Sequence, residues 1–598
     1  MHLSRIQIAN FRNFASVDFA MSSNAVILGE NRVGKSNLLF AMRLVLDPSL
    51  PDSARQLKLS DIWEGLDAAE MEAGPTIEVH LDFKEFDGNP ALTTLLTDHR
   101  LAADHTTARL SYVFRKKHGV AKPAESDYEF KVFGGGDETR QVPSEVRRRI
   151  CLDVLPALRD AEGELSTWRT SPLRPLLDDA IAKIDRADLE EISEEINEAT
   201  GSMTALEPIK TLEDSIRAQM LALAGERHDI RAKFGFAPSD PVRMFRSIRV
   251  LIDDGVRSMG EASLGSANLA LLTLKLAEFE WRRSKNERNF TLIAVEEPEA
   301  HLHPHLQRKV FGALFSDPNQ VEAPTRSLLL TTHSPSIASV APIRSIVVLS
   351  DGGQEGTHAY SMANINIEDD ELDDLQRYLD ATRAEILFSR GILFVEGDAE
   401  ALLVPGFART MGLNLDELGI SVCSVGGTNF DPYAQLAAAL HIPFAVITDW
   451  DPRTLPHKAY GWGRTMSLVR VIREASGKPP LSAARLAVIT ANEAELRQSA
   501  LRCHVYLNTD TLETELANRA DLRGAILSIL AEQDFGRVLK ARIQTWQDGT
   551  AALDRDQMML MIGYVSKGRF AGQLAEALDG LAPPDYIRDA IHHVTQAP

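Results

Sequence analysis

The chain has 598 residues, 44% hydrophobic and 25% charged, a globular composition with length for about three to five structural units and no room for wholesale disorder. Its 64 Lys+Arg against 85 Asp+Glu leave a formal charge of −21, which excludes a histone-like, generally basic nucleic-acid binder but not a local basic channel or a metal bridge to phosphate. Three scattered cysteines (Cys151, Cys423, Cys503) form no CxxC pair, and no apolar run approaches the ~20 residues that span a bilayer, so a cytoplasmic protein without disulfides or membrane contact is expected. The amino terminus, without a signal-peptide core, alternates as strands through His2–Ile8, and Ala25–Leu28 is a short apolar run ending in glycine. A helix is predicted from Ser36 to Leu46, then strands at 77–83 and 108–115. From Ser144 to about Arg231, charges on helical spacing (DLEEISEEINEA, TLEDSIRAQMLAL) predict a helical insertion. Strand texture returns at 291–295, 327–330 and 345–349, followed by an acidic linking helix and a second α/β region from Gly391.

Gly29-Glu30-Asn31-Arg32-Val33-Gly34-Lys35-Ser36 fits GxxxxGK[ST] between an apolar strand and a helix. In this setting backbone amides curl round phosphates, Lys35 reaches the β/γ-phosphates and Ser36 can ligate Mg²⁺; Gly29, Asn31, Gly34, Lys35, Ser36 and Asn37 are the candidate nucleotide contacts. The run TLIAVEEPEAHLHP delivers Glu296 and Glu297 at a strand end. Glu296 is expected in the Mg²⁺ shell and Glu297 beside the attacking water. His333, after the strand 327–330, is placed to touch the γ-phosphate. Ser263 and Gly265, in SLGSAN before the helical LALLTLKLAEFEW, make an anion site at a helix start. With NFRNF at 10–14, these motifs resemble the SMC-like branch of ABC ATPases, in which one head's signature segment, here Ser263 to Asn268, caps the nucleotide of another. That resemblance implies ATP with Mg²⁺ and a homodimer or higher even-numbered oligomer.

The second α/β region carries paired carboxylates. An apolar strand, 392–395, leads into Glu396-Gly397-Asp398-Ala399-Glu400, and the strand 444–448 leads into Asp449-Trp450-Asp451. Residues i and i+2 of a strand face one way, and carboxylates packed that closely repel unless cations neutralise them. Oxygen donors favour Mg²⁺ or Mn²⁺. ExxxE, a glycine pair (Gly426-Gly427) and DxD, each after a strand, resemble a Toprim domain. Glu513 in NTDTLE is a further candidate ligand, and Lys567 in SKGRF a candidate cation for phosphorane charge. The expected catalytic and metal set is thus Glu396, Glu400, Asp449, Asp451 and Glu513, with Lys567 and, in the ATPase, Glu297.

An ABC head followed by Toprim resembles the OLD (overcoming lysogenization defect) family over essentially the full length, and the TLE and SKGRF segments look most like its class 2 branch, which includes the nuclease subunit of Gabija systems. The resemblance implies a metal-dependent DNA endonuclease under ATPase control, in anti-phage defence or DNA processing, with DNA and a UvrD-like helicase as partners. The alternatives are an ATP-dependent DNA repair clamp, or a topoisomerase- or primase-like Toprim enzyme. The expected fold is α/β: an ABC head (1–143 and 232–365) interrupted by a dimerising helical insertion (144–231), a linker helix (366–388), and a Toprim domain with added helices (389–598).

Overall fold

The computed structural model describes residues 1–120, 123–157, 163–164, 171–224, 234, 245, 248–252, 256–316, 326–365, 367–454 and 457–596. Two compact units result: Met1–Leu155 with Phe290–Pro598, and Pro156–Asn289.

The first unit is built on three sheets. The amino-terminal sheet is antiparallel, in the order Phe14–Ala20, His2–Phe11, Ile77–Lys84, Ala108–Lys116, Tyr128–Gly134, Asp137–Gln141. Its strands alternate because one face packs inward: Leu3, Ile6, Ile8 and Phe11 are buried while Arg5 is exposed. The second sheet runs Thr357–Ser361, Ile346–Asp351, Ala25–Gly29, Arg326–Thr331, Phe290–Glu296, Ile150–Leu155, and all but the first strand are parallel. Its central strands are buried on both faces, which is why AVILG and most of FTLIAVE are apolar. Helix Lys35–Leu46 packs its apolar residues into the core that the first two sheets share. The third sheet is parallel, ordered Ile420–Ser424, Gly391–Val395, Phe444–Thr448, Val505–Leu507. Helices Asp398–Thr410, Leu512–Asn518, Ala520–Glu532, Lys567–Glu576 and Asp585–Thr595 close its core, where each buried Leu, Ile or Phe contributes roughly 1.5–3 kcal/mol.

The second sheet reaches into the segment assigned to the insertion. Ile150–Leu155 lies inside the stretch assigned to the insertion, yet it pairs in parallel with Phe290–Glu296, from Phe290↔Ile150 to Val295↔Leu155. The charged helix SEVRRR before it carries the helical texture, while ICLDVL is an edge strand of the second sheet. The first unit also resumes only at Phe290, so the segment around Ser263 belongs to the second unit rather than to the head's sheet core. The boundaries expected at 231, 366 and 598 lie outside the described residues. Helix Asp369–Tyr378 occupies the linker segment.

The second unit contains helices Leu173–Ile181, Arg186–Thr204, Glu207–Ala224 and Leu264–Ser284, with a short antiparallel strand pair, Leu251–Ile252 against Arg257–Ser258. Helix Arg186–Thr204 buries no residue, and Met203, Leu206, Leu212 and Leu223 are exposed. No described helix is long and apolar enough to cross a membrane. All three cysteines are buried.

Candidate functional site

The P-loop joins strand Ala25–Gly29 to helix Lys35–Leu46. Gly34 sits at φ +97, and a Cβ there would fall 2.0 Å from Asn13 Nδ2. The space goes to Asn13, whose Nδ2 donates to Val33 O (2.8 Å) and to Thr357 Oγ1 (2.7 Å), while Thr357 Oγ1 donates to Val33 O (2.9 Å). Asn37 joins the same network: its Nδ2 donates to Asn13 Oδ1 (2.7 Å), and its Oδ1 accepts from Arg12 Nη1 (2.8 Å). Arg12 also bonds Asp61 and lies over the rings of Phe11 and Phe40. The buried Lys35 Nζ donates to Gly29 O (2.8 Å) and Glu30 O (2.9 Å). Burial pushes its pKa down to about 8 against the pull of Glu297, Glu299 and Glu30. Asn31 and Ser36 are exposed on the loop and at the helix start.

Sheet register puts Glu296 opposite Thr331, which pairs with Ile27 of the P-loop strand. Glu297 turns out of the strand at φ +42, its N donating to Thr331 O (2.8 Å). His333 Nε2 is 3.9 Å from Glu297 Oε1. Burial and the nearby Lys35 lower the His333 pKa, which favours a neutral imidazole. Glu299, unassigned from sequence, fixes this corner: its carboxylate accepts from His333 N (2.8 Å) and Thr332 Oγ1 (2.7 Å). Lys35, Glu297 and His333 therefore share one neighbourhood. In the second unit, Ser263 caps helix Leu264–Ser284 by accepting from Ser266 N (3.2 Å); Gly265 is buried beneath it.

The carboxylates gather at the carboxyl ends of the parallel strands Gly391–Val395 and Phe444–Thr448. Glu396 Oε1 accepts from Thr448 Oγ1 (2.5 Å) and Asp449 N (2.9 Å). Glu400, in the first turn of helix Asp398–Thr410, is 9% exposed and accepts from Gly397 N at 3.2 Å. Its pKa rises to about 7, first through burial, then through Glu396 and Glu513. Asp449 is driven to about 8 by burial, Glu396 and Glu400. Asn508 holds it in place, with Nδ2 donating to Asp449 Oδ1 and Oδ1 accepting from Trp450 N (2.8 Å). The Tyr586 hydroxyl, beside Asn508, has a pKa well above the ordinary phenol value through burial and the Asp449 charge. Glu513, 4% exposed, pairs with Lys567 Nζ at 2.7 Å. Burial lowers the Lys567 pKa, but Glu513, Glu400 and Asp449 outweigh it and the net shift is upward. Asp451 adopts φ +50 and pairs with Arg464 at 3.3 Å.

All five expected acids and Lys567 thus belong to one electrostatically coupled cluster. Its hard oxygen donors, two of them with raised pKa values, fit a divalent cation. Among the described residues no three His, Cys, Asp or Glu side chains close to metal-holding geometry; Arg464 and Lys567 are drawn in among the acids instead. Thr448, Asn508, Arg464 and Tyr586 carry no assignment from sequence. Asn508 opens the NTDTLE segment, a weak signal; Arg464 and Tyr586 lie on distant helices and carry none.

Residues 387–451 match the family described as overcoming lysogenization defect protein-like, TOPRIM domain. Residues 161–338 match an AAA ATPase domain, and residues 1–124 a family of unknown function, DUF2813. The OLD nuclease of Thermus scotoductus is 25% identical over 471 residues, 76% of this chain and 83% of that protein. Endonuclease GajA of Bacillus cereus is 22% identical over 467 residues, 75% of each. The C-terminal region of the Xanthomonas campestris pv. campestris OLD protein is 34% identical, covering 35% of this chain and 96% of that one, with a TM-score of 0.30. The fold and these matches define a nuclease that carries an ATPase domain. The chain thus carries an OLD-like Toprim region and an AAA ATPase region, and over most of its length it is similar to nucleases of the OLD family.

Proposed function

We propose that this chain is a metal-dependent DNA endonuclease whose cleavage is controlled by nucleotide at the P-loop site. The convergence of Glu396, Glu400, Asp449, Asp451 and Glu513, with Lys567 and Arg464 among them, carries the reading. Glu396, Glu400, Asp449, Asp451 and Glu513 would hold Mg²⁺ or Mn²⁺, which when bound supplies charge to the scissile phosphate and acidifies a water. Thr448 and the Asp449 amide orient Glu396, Asn508 orients Asp449, and Glu513 holds the Lys567 ammonium where phosphorane charge can develop. At the other site, ATP and Mg²⁺ would be held by Gly29, Asn31, Gly34, Lys35, Ser36, Asn37 and Glu296, with Glu297 and His333 beside the γ-phosphate and Ser263 and Gly265 supplied by a second copy. This makes the working unit a homodimer.

The TLE and SKGRF segments favour the class 2, Gabija-like branch, and with it anti-phage defence beside a helicase partner. Plasmid nicking with metal and nucleotide varied separately tests the core of the proposal. Cleavage is expected to need Mg²⁺ or Mn²⁺, to stop with chelator, and to vanish in Asp449→Ala and Glu400→Ala. Cleavage by either variant at the wild-type rate refutes the metal assignment. The nucleotide arm of the same assay shows whether ATP drives or restrains cleavage.

A further inference from the structure

Helix Tyr460–Ala475 is fastened by backbone to the segment that carries the paired aspartates. Tyr460 N donates to Asp451 O (3.0 Å) and Gly461 N to Trp450 O (3.0 Å). A Cβ at Gly461 would stand 2.7 Å from Trp450 O and 2.8 Å from Asp449 O, so the approach needs glycine. Three residues on, this docking delivers Arg464 into the carboxylate cluster with its side chain only 10% exposed. Its Nη2 lies 3.3 Å from Glu396 Oε1 and 3.3 Å from Asp451 Oδ2, and also donates to Asp449 O. Its Nε is buried with no hydrogen-bond partner among the described residues.

A structural arginine normally matches its planar fork to one carboxylate through two parallel bonds. Here one nitrogen is shared among three oxygens while Nε is left a buried donor without compensation. Charge rather than hydrogen-bond fit therefore accounts for the placement. The two acids come from different strand ends, and without a cation between them they would repel. Neutral donors serve Glu396 (Thr448 Oγ1, Asp449 N), Glu400 (Gly397 N) and Asp449 (Asn508 Nδ2) alike, but the Arg464 cation lies on the Glu396–Asp451 side.

We propose that Arg464 is a built-in cation of the nuclease site, which pairs Glu396 with Asp451 in the metal-free protein and gives way when a divalent ion takes those two carboxylates. The proposal rests on the reading of the site as metal-dependent. An ion entering beside the guanidinium meets like charge at short range in a partly desolvated site. Binding on the Glu396–Asp451 side is thereby weakened, and the Glu400–Asp449 side fills first. Removing Arg464 leaves two unneutralised acids whose demand for a cation rises.

The test is a Mn²⁺ titration of the nucleotide-free, full-length protein, with free Mn²⁺ read from its electron paramagnetic resonance signal. Wild type is expected to bind one ion tightly and a second weakly. In Arg464→Met the second binding tightens at least about tenfold, and the Mn²⁺ concentration for half-maximal plasmid nicking falls in parallel; in Arg464→Lys it stays near wild type. If the Met variant loses its cooperative melt, Arg464→Gln, which keeps a donor for Asp449 O, provides the same comparison. An unchanged second affinity overturns the proposal, as does lost Mn²⁺ binding in a variant that melts like wild type, since Arg464 would then be a plain brace. Binding that Asp449→Asn abolishes but Arg464 does not influence overturns this proposal alone. No Mn²⁺ binding in any of the proteins overturns the metal reading with it.

Discussion

At the scale of single residues, charge in confined surroundings dominates. Glu400 and Asp449 have folded-state pKa values of about 7 and about 8, above their ordinary 4.5 and 3.8. Between those values the folded protein binds more protons than the unfolded chain, so its metal-free stability falls as pH rises through the interval. In chelated protein, Asp449→Asn should therefore raise the melting temperature at pH 8 and leave it unchanged below pH 4. An equal effect at both pH values would contradict the cause given. Added Mg²⁺ should in turn stabilise wild type more at pH 8 than at pH 5. In the ATPase, Lys35 is buried in loop carbonyls while Glu297 is exposed, 3.9 Å from His333. Lys35→Ala should cost about ten- to a hundredfold in nucleotide affinity, the worth of a hydrogen bond to a charged group. Glu297→Gln should bind nucleotide normally and lose hydrolysis; isothermal titration and phosphate release separate the two.

At the scale of elements, close approaches of backbone to backbone set where side chains land. Gly461 lets helix Tyr460–Ala475 sit on the Asp449–Asp451 turn, and through that contact Arg464 enters the site. Gly461→Ala must push the helix away from two carbonyls, at about 1–3 kcal/mol of overpacking. We expect a lower denaturation midpoint together with impaired cleavage, while Gly463→Ala, whose Cβ meets nothing within 4 Å, changes neither. Helix Lys567–Glu576 plays a similar part: it packs against Asp398–Thr410 and so brings Lys567 to Glu513.

For the whole molecule, the helical insertion bears on assembly. Helix Arg186–Thr204 buries nothing, and Leu206 and Leu223 are 57% and 89% exposed, an apolar burden that a second copy would relieve. Analytical ultracentrifugation of nucleotide-free protein should find a dimer at micromolar concentration, and a stable monomer near 65.9 kDa would refute this. Replacing residues 186–224 by a short linker should release monomers with the Toprim domain folded. The cut cannot begin at 144, because Ile150–Leu155 is a strand of the ATPase sheet and its loss would open an edge.

By itself the sequence determined the order of parts and the acid set. Buried parallel strands must be apolar throughout, and the chemistry follows them at once in the chain, as in Ala25–Leu28 before the P-loop, Phe290–Val295 before Glu296, and Phe444–Thr448 before Asp449. Periodicity could not separate ICLDVL from its charged surroundings, since six residues are too few to show a period. Only the tertiary structure decided the supporting shell. Asn13 reaches Thr357 across 344 positions, Asn508 reaches Asp449 across 59, and Arg464 enters from a helix that a glycine allows to dock. Such partners are chosen by where sheet register and helix packing bring the chain together, a property of three-dimensional proximity that local spacing does not encode.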